Sequence, residues 1–137
     1  MSVVDLPVAR AREQLKSVLD AADAGVPTTI VRAGRRVAVV DAVLLRATLA
    51  HTLRPDVQLA HEAGEWAAFM PGTPLSGAGR TTDEAVDDLI AALQEYAEDW
   101  TDHLRHAPNH RDAWALVQLV ELSTDEELRD WLTGAHG

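Results

Sequence analysis

Apolar positions in the first fifty residues follow two different periods. Val8, Ala11, Leu15, Val18, Leu19 and Ala22 recur at three- and four-residue steps and predict one amphipathic helix. Pro7 suits its first turn, Gly25 is a natural stop, and Pro27 follows. Ser2-Val3-Val4-Asp5-Leu6 ahead of it reads as a short extended segment. Thr28-Thr29-Ile30-Val31-Arg32 and Arg35-Arg36-Val37-Ala38-Val39-Val40 are rich in β-branched residues and flank Ala33-Gly34, so residues 28–40 predict a β-hairpin. Ala42–Leu53 predicts a second helix, apolar on one side with Arg46 outside it. Arg54-Pro55-Asp56 has the composition of a linker.

The pattern then starts again with strands. Val57–His61 and Trp66–Met70 flank the tight-turn sequence Glu62-Ala63-Gly64-Glu65. Pro71–Pro74 reads as a loop, and the small, Gly-rich Leu75–Arg80 as a short third strand. Thr81 with Glu84 predicts a capping box. Behind it Val86, Leu89, Ile90, Leu93, Tyr96, Ala97, Trp100 and Leu104 form the stripe of a long helix. Asn109 is the expected cap of a helix carrying Trp114, Val117 and Val120. Ser123 with Glu126 is the expected cap of a last helix with Leu128, Trp131 and Leu132, closed by Gly134. The fold class expected is therefore α+β: a strand–helix–hairpin–helix domain over 1–54, a sheet with a long helix over 55–104, and a helical extension over 105–137.

Charge divides at the same place as the pattern. Residues 1–54 carry a net +3 and residues 55–137 a net −13. The sign of each field selects what approaches it: phosphates for the first part, a basic protein for the second. The absence of cysteine excludes disulfides, thiolate zinc sites and cysteine nucleophiles. The N-terminus lacks a signal-peptide profile. The longest apolar stretch, Val37–Val40 and Ala42–Leu45, is broken by Asp41 and falls far short of a bilayer span. The expected location is cytoplasmic, with no membrane partner. So small a domain with few large side chains is marginal alone, and dimerisation is expected.

Arginine placement narrows the reading. Arg10 and Arg12 sit in the first turns of the first helix, and Arg32, Arg35 and Arg36 around the hairpin turn. The planar guanidinium fork suits phosphates and guanine edges, and a helix or two-stranded ribbon fits a major groove. Arginines at turns are otherwise simply solvated. The ordered set Leu6-Pro-Val-Ala-Arg-Ala-Arg-Glu-Gln-Leu15, Leu19-Asp-Ala-Ala-Asp-Ala-Gly25 and Thr29-Ile-Val-Arg-Ala-Gly-Arg-Arg-Val-Ala-Val-Val40 resembles the N-terminal domain of Phd/YefM-type antitoxins over residues 2–53. The resemblance implies a dimer that binds the operator of its own toxin–antitoxin operon. It places Arg12 on the family's helix-one Arg and Arg32 on its hairpin Arg, with Arg10, Arg35 and Arg36 as looser counterparts. Leu6-Pro7 stands where the family has a polar helix cap.

Residues 57–100 resemble the HicB-type domain through Gly64-Glu-Trp-Ala-Ala-Phe-Met-Pro71, Leu75 and Thr81-Thr-Asp-Glu-Ala-Val-Asp-Asp-Leu-Ile90. Pro71-Gly-Thr-Pro-Leu-Ser replaces that family's usual loop, so only the fold and a toxin-facing or oligomerising role carry over. Asp83, Asp87, Asp88, Glu95, Glu98, Asp99 and Asp102 on the long helix are either a solvated face or a seat for a basic toxin. Trp114 and Trp131 are either core anchors or exposed contacts for a partner.

Catalytic signals are weak. His103, His106 and His110 have a metal-like spacing, but Pro108 interrupts the helix between the last two, and histidine is favoured near helix C-termini anyway. No nucleophile elbow, Walker loop or nucleotide fingerprint occurs. Ala33-Gly34-Arg35 and Gly77-Ala-Gly79 are too short to cradle phosphate. The expectation is a non-enzymatic antitoxin and autorepressor without cofactor or metal. Its partners are operator DNA, a basic protein toxin and a second copy. The alternatives are a stand-alone DNA-binding regulator whose second part oligomerises, and a His-dependent metalloenzyme.

Overall fold

Two three-stranded sheets and six α-helices make up the described residues, 5–134, of the computed structural model, a mixed α+β chain. Ser2–Val4 of the expected first strand lie outside the described residues. The chain separates into two compact units, Met1–Ala47 and Thr48–Gly137.

The first unit runs β1 (Asp5–Pro7), α1 (Val8–Glu13), α2 (Leu15–Asp23), β2 (Thr28–Arg32) and β3 (Arg35–Val39), then enters α3 (Ala42–Thr52). β1 lies parallel to β2, with Leu6 opposite Ile30, and β2 pairs antiparallel with β3. The single helix expected over 7–25 is two. Gln14 sits between them at φ −110°, ψ 25°, outside helical geometry. No glycine or proline marks this break, so the residue pattern carries no sign of it. Gly25 ends α2 at φ +81°. The Gly25 and Val26 amides donate back to the Ala22 and Ala21 carbonyls at 2.9 and 2.8 Å, a Schellman closure. Asp41 opens α3 by accepting the Leu44 amide at 2.9 Å.

Few apolar side chains are buried in this unit. Among its described residues only Ala11, Val18 and Ala22 reach the interior, beside the buried Thr28 and Thr29. Leu15 and Leu19 belong to the expected helical stripe but are half exposed, and α3 buries none of its side chains.

The second unit places β4 (Gln58–Glu62), β5 (Glu65–Phe69) and β6 (Ser76–Gly79) in an antiparallel meander beneath α4 (Thr82–Asp102). Two short 3-10 turns, Leu104–His106 and Pro108–Ala113, lead into α5 (Trp114–Glu121) and α6 (Asp125–Thr133). Its core is larger: Ala85, Val86, Leu89, Ile90, Leu93 and Ala97 of α4 pack on Ala68, Met70 and Leu75 and on Val117, Leu119, Val120, Leu128, Trp131 and Leu132. α4 crosses β6 at very short range. A Cβ on Gly77 would stand 2.3 Å from the Leu89 amide nitrogen, and one on Gly79 2.4 Å from Glu84 Cβ. The glycines of Leu75–Arg80 are thus packing residues.

Helix caps agree with the sequence only in part. Thr81 accepts the Glu84 amide at 3.1 Å, but the Glu84 carboxylate reaches one residue further back, to the Arg80 amide at 2.8 Å. The last helix is opened by Thr124 with Glu127, a complete reciprocal box, and not by Ser123 with Glu126. Both pairs have the same spacing, so periodicity alone is one residue ambiguous here. Asn109 caps nothing by its side chain; Pro108 begins a 3-10 segment instead.

Candidate functional site

The β2–β3 turn is two residues, Ala33 at φ +50° and Gly34 at φ +79°, the geometry of a type I′ hairpin. It sets Arg32 directly opposite Arg35 and Val31 opposite Arg36. Period two therefore puts Arg32 and Arg35 on one face of the ribbon and Arg36 on the other. Arg10 and Arg12 lie in the last turn of the six-residue α1. All five arginines are exposed. Among the described residues, Arg10, Arg12, Arg32 and Arg35 are in no ion pair.

Arg36 differs. Its Nη2 and Nε donate to Asp5 Oδ1 at 3.0 and 3.3 Å. The Thr29 hydroxyl and then the Arg36 guanidinium hold the Asp5 carboxyl below the usual carboxylate range. The sequence grouped three hairpin arginines together. The pleat leaves two of them free and commits the third to the sheet.

Acids on α4 divide in the same way. Asp87 pairs with Arg129 of α6, and Asp88 Oδ2 accepts the Ala78 amide of β6 at 2.9 Å. These two build the fold. Asp83, Glu95, Glu98, Asp99 and Asp102 are the rest of the expected acidic face, exposed apart from the half-buried Asp99. Gln94 donates to Asp125 at 2.6 Å across the α4–α6 seam. An open cleft of about 470 Å³ along that seam is lined by Asp87, Ile90, Ala91, Gln94, Asp125, Glu126 and Arg129.

The two tryptophans that the sequence left open differ in burial. Trp131 is buried and donates its indole N–H to the Leu53 carbonyl at 2.9 Å, whereas Trp114 is 51% exposed. His110 is held by the fold: its Nδ1 lies 2.8 Å from the Tyr96 hydroxyl, and its carbonyl accepts the Trp100 indole N–H at 2.9 Å. Burial pushes the Tyr96 hydroxyl pKa up. Among the described residues no three His, Asp or Glu side chains gather as a metal set. Nor is any described helix long and apolar enough to cross a membrane.

Comparison with known proteins bears on what this arrangement is for. The sequence profile of the PHD_like family, described as antitoxin of toxin–antitoxin, RelE / RelB, TA system, matches residues 1–133. The chain belongs to this antitoxin family. No curated protein matches the PHD-like antitoxin. A crystal structure from Syntrophomonas wolfei subsp. wolfei, of the antitoxin part of a candidate toxin/antitoxin system, superposes on it with a TM-score of 0.80. The two are 20% identical and each is covered over 96% of its length, so the whole fold is shared. Membership makes the PHD-like antitoxin one half of a toxin–antitoxin pair and gives it a toxin as partner.

Proposed function

We propose that this antitoxin binds operator DNA as a dimer through its first unit, repressing its own operon, and neutralises a protein toxin with its acidic second unit. The observation that carries the DNA half is Arg32 opposite Arg35 at the hairpin tip, neither of them in an ion pair. Like charges directly opposite destabilise a hairpin. A phosphate seated between two guanidinium forks removes that penalty and gains charge-assisted hydrogen bonds. Arg12 and Arg10 on α1 extend the same basic surface in this reading. Arg36, half occupied by Asp5, is the weakest of the five contacts.

Exposed apolar surface supports the dimer. Of the eleven exposed large apolar side chains among the described residues, eight lie in the first unit: Val8, Leu15, Leu19, Val26, Val37, Val40, Val43 and Leu44. Val43 is 74% exposed. A unit this small, with only small or β-branched residues inside, gains most by burying that surface against a second copy.

For the toxin half, we read residues 55–104 as a HicB-like, toxin-facing domain and 105–137 as its helical extension. The strands-then-helix order of β4, β5, β6 and α4 supports this, as does the unpaired acid on α4. The α4–α6 cleft, three carboxylates around an apolar floor and one arginine, suits a basic side chain of the toxin. No cofactor, metal or catalytic residue enters the reading.

A gel shift on the protein's own upstream DNA tests the repressor. Arg32→Ala is expected to weaken the complex and flatten its salt dependence; wild-type affinity with the same salt slope rejects the site. Co-expression with the neighbouring gene tests the toxin half. A neighbour that arrests growth alone and is relieved by this chain is expected. A neighbour with no effect in either state favours the stand-alone regulator.

A further inference from the structure

The two edges of the second sheet are treated differently. Met70 N–H donates to the Leu75 carbonyl, and Ala78 N–H points away from β5 to the Asp88 carboxylate. Both observations fix which backbone groups face which way. Trp66, Ala68 and Met70 direct theirs toward β6, so Glu65, Ala67 and Phe69 direct theirs toward β4. Their partners Glu62, Ala60 and Gln58 point back at β5. Leu59 and His61 therefore present their N–H and C=O groups outward from the β4 edge. On β6, Asp88 closes the outward amide of Ala78, a device that blocks strand addition. On β4 all five residues are exposed, and no hydrogen bond among the described residues occupies the outward groups of Leu59 or His61.

We propose that β4 is a self-pairing edge: two copies of the chain join their second units by antiparallel pairing of β4 with β4 about a two-fold axis at Ala60. The sequence Gln58-Leu-Ala-His-Glu62 is complementary to itself in that register. Leu59 falls opposite the second copy's His61, and these are the residues whose backbone groups face outward, so each such pair exchanges both bonds. Ala60 meets its own copy in a non-bonded pair, where side chains come closest and only a small one fits easily. Glu62 falls opposite Gln58, which gives its carboxylate an amide donor, and no like charges are opposed. Within one copy Glu62 faces Glu65, a like-charge pair that this donor relieves. The 47%-exposed Leu59 is covered in the same step.

The chain has no cysteine, so a single one reports the pairing directly. Cα atoms roughly 4.5 Å apart in a non-bonded pair are within disulfide reach. The full chain carrying Ala60→Cys, treated with oxidised glutathione, is expected to form a disulfide dimer at least tenfold faster than Ser76→Cys on the opposite edge. It should do so equally in a Val43→Asp background, which removes the contact proposed for the first unit. Equal rates for the two cysteines overturn the proposal. Loss of the cross-link in the Val43→Asp background also overturns it, because the contact then belongs to the first unit. A β4 edge reserved for the toxin gives the first of these outcomes, together with protection of the Ala60→Cys thiol only when toxin is added.

Discussion

Arg36 reaches across the full width of β2 to hold the carboxylate of Asp5, two strands away, with two of its nitrogens on one oxygen. β1 is three residues long and includes a proline, so its ladder with β2 is short. The ion pair adds a side-chain tie to that ladder. Because Thr29 and Arg36 depress the Asp5 pKa, the carboxylate contributes stability in full above its unfolded value of about 4. The contribution disappears as pH falls through the lower folded value. Asp5→Asn is therefore expected to lower the denaturation midpoint at pH 7, by an amount that shrinks as the pH is taken below about 4. A midpoint difference that does not change with pH rejects the pair.

A second consequence concerns the arginines as a set. Arg32→Ala is expected to reduce the slope of log affinity against log salt by about 1 for each phosphate that the side chain neutralised, with folding unaffected. Arg36→Ala should do the reverse, lowering thermal stability more than operator binding. Parallel gel shifts at three salt concentrations and a melting curve separate the two patterns. An equal drop in affinity for both variants would mean that both faces of the ribbon meet DNA.

Both hairpins turn on the same dipeptide. Ala33-Gly34 and Ala63-Gly64 each place an alanine at positive φ, 50° and 54°. A left-handed alanine is strained by about 1 kcal/mol, and asparagine tolerates the geometry better. Ala33→Asn and Ala63→Asn are each expected to raise stability by about 0.5–1 kcal/mol, measured by denaturant unfolding. A destabilised Ala63→Asn would show that the turn conformation is wrong.

Gly77 tests the α4–β6 contact. Its missing Cβ is what lets the Leu89 amide approach, and the obstruction is backbone that cannot swing aside. Gly77→Ala is expected to destabilise the second unit by about 3 kcal/mol or more, visible as a lower midpoint in tryptophan fluorescence, since Trp66, Trp100, Trp114 and Trp131 all lie in that unit. Gly72→Ala, with open space around it, serves as the control for a glycine strained only through its positive φ.

Much of this fold could be read from the residues, for identifiable reasons. Val31, Ala33-Gly34 and Val37 announce a hairpin because β-branched residues around a turn dipeptide admit few other conformations. The α4 stripe announces itself because its apolar residues do meet a core. Helix one misled because Gln14 breaks it without any breaker residue, and because Leu15 and Leu19 keep helical spacing while facing outward. Burial depends on what lies opposite, and periodicity reports only a shared face. The split between Trp131 and Trp114, and between Asp88 and Glu98, had no signal at all: each pair is alike in type and differs only in tertiary neighbours. Of the candidate site, the grouping of Arg32, Arg35 and Arg36 around the hairpin turn was legible, but the separation of Arg36 from Arg32 required the pairing register. Arg10 and Arg12, expected in the first turns of one long helix, fall in the last turn of the separate short α1.

The first unit's interior, made of Ala11, Val18 and Ala22, has a consequence for control. If the first unit pairs with its twin and binds its operator as proposed, apolar cover and DNA binding would both depend on two copies meeting. Operator occupancy would then rise with the square of the concentration while copies are scarce. The promoter would stay open at low antitoxin levels and close past a threshold, so the thin core would act as a device that counts molecules.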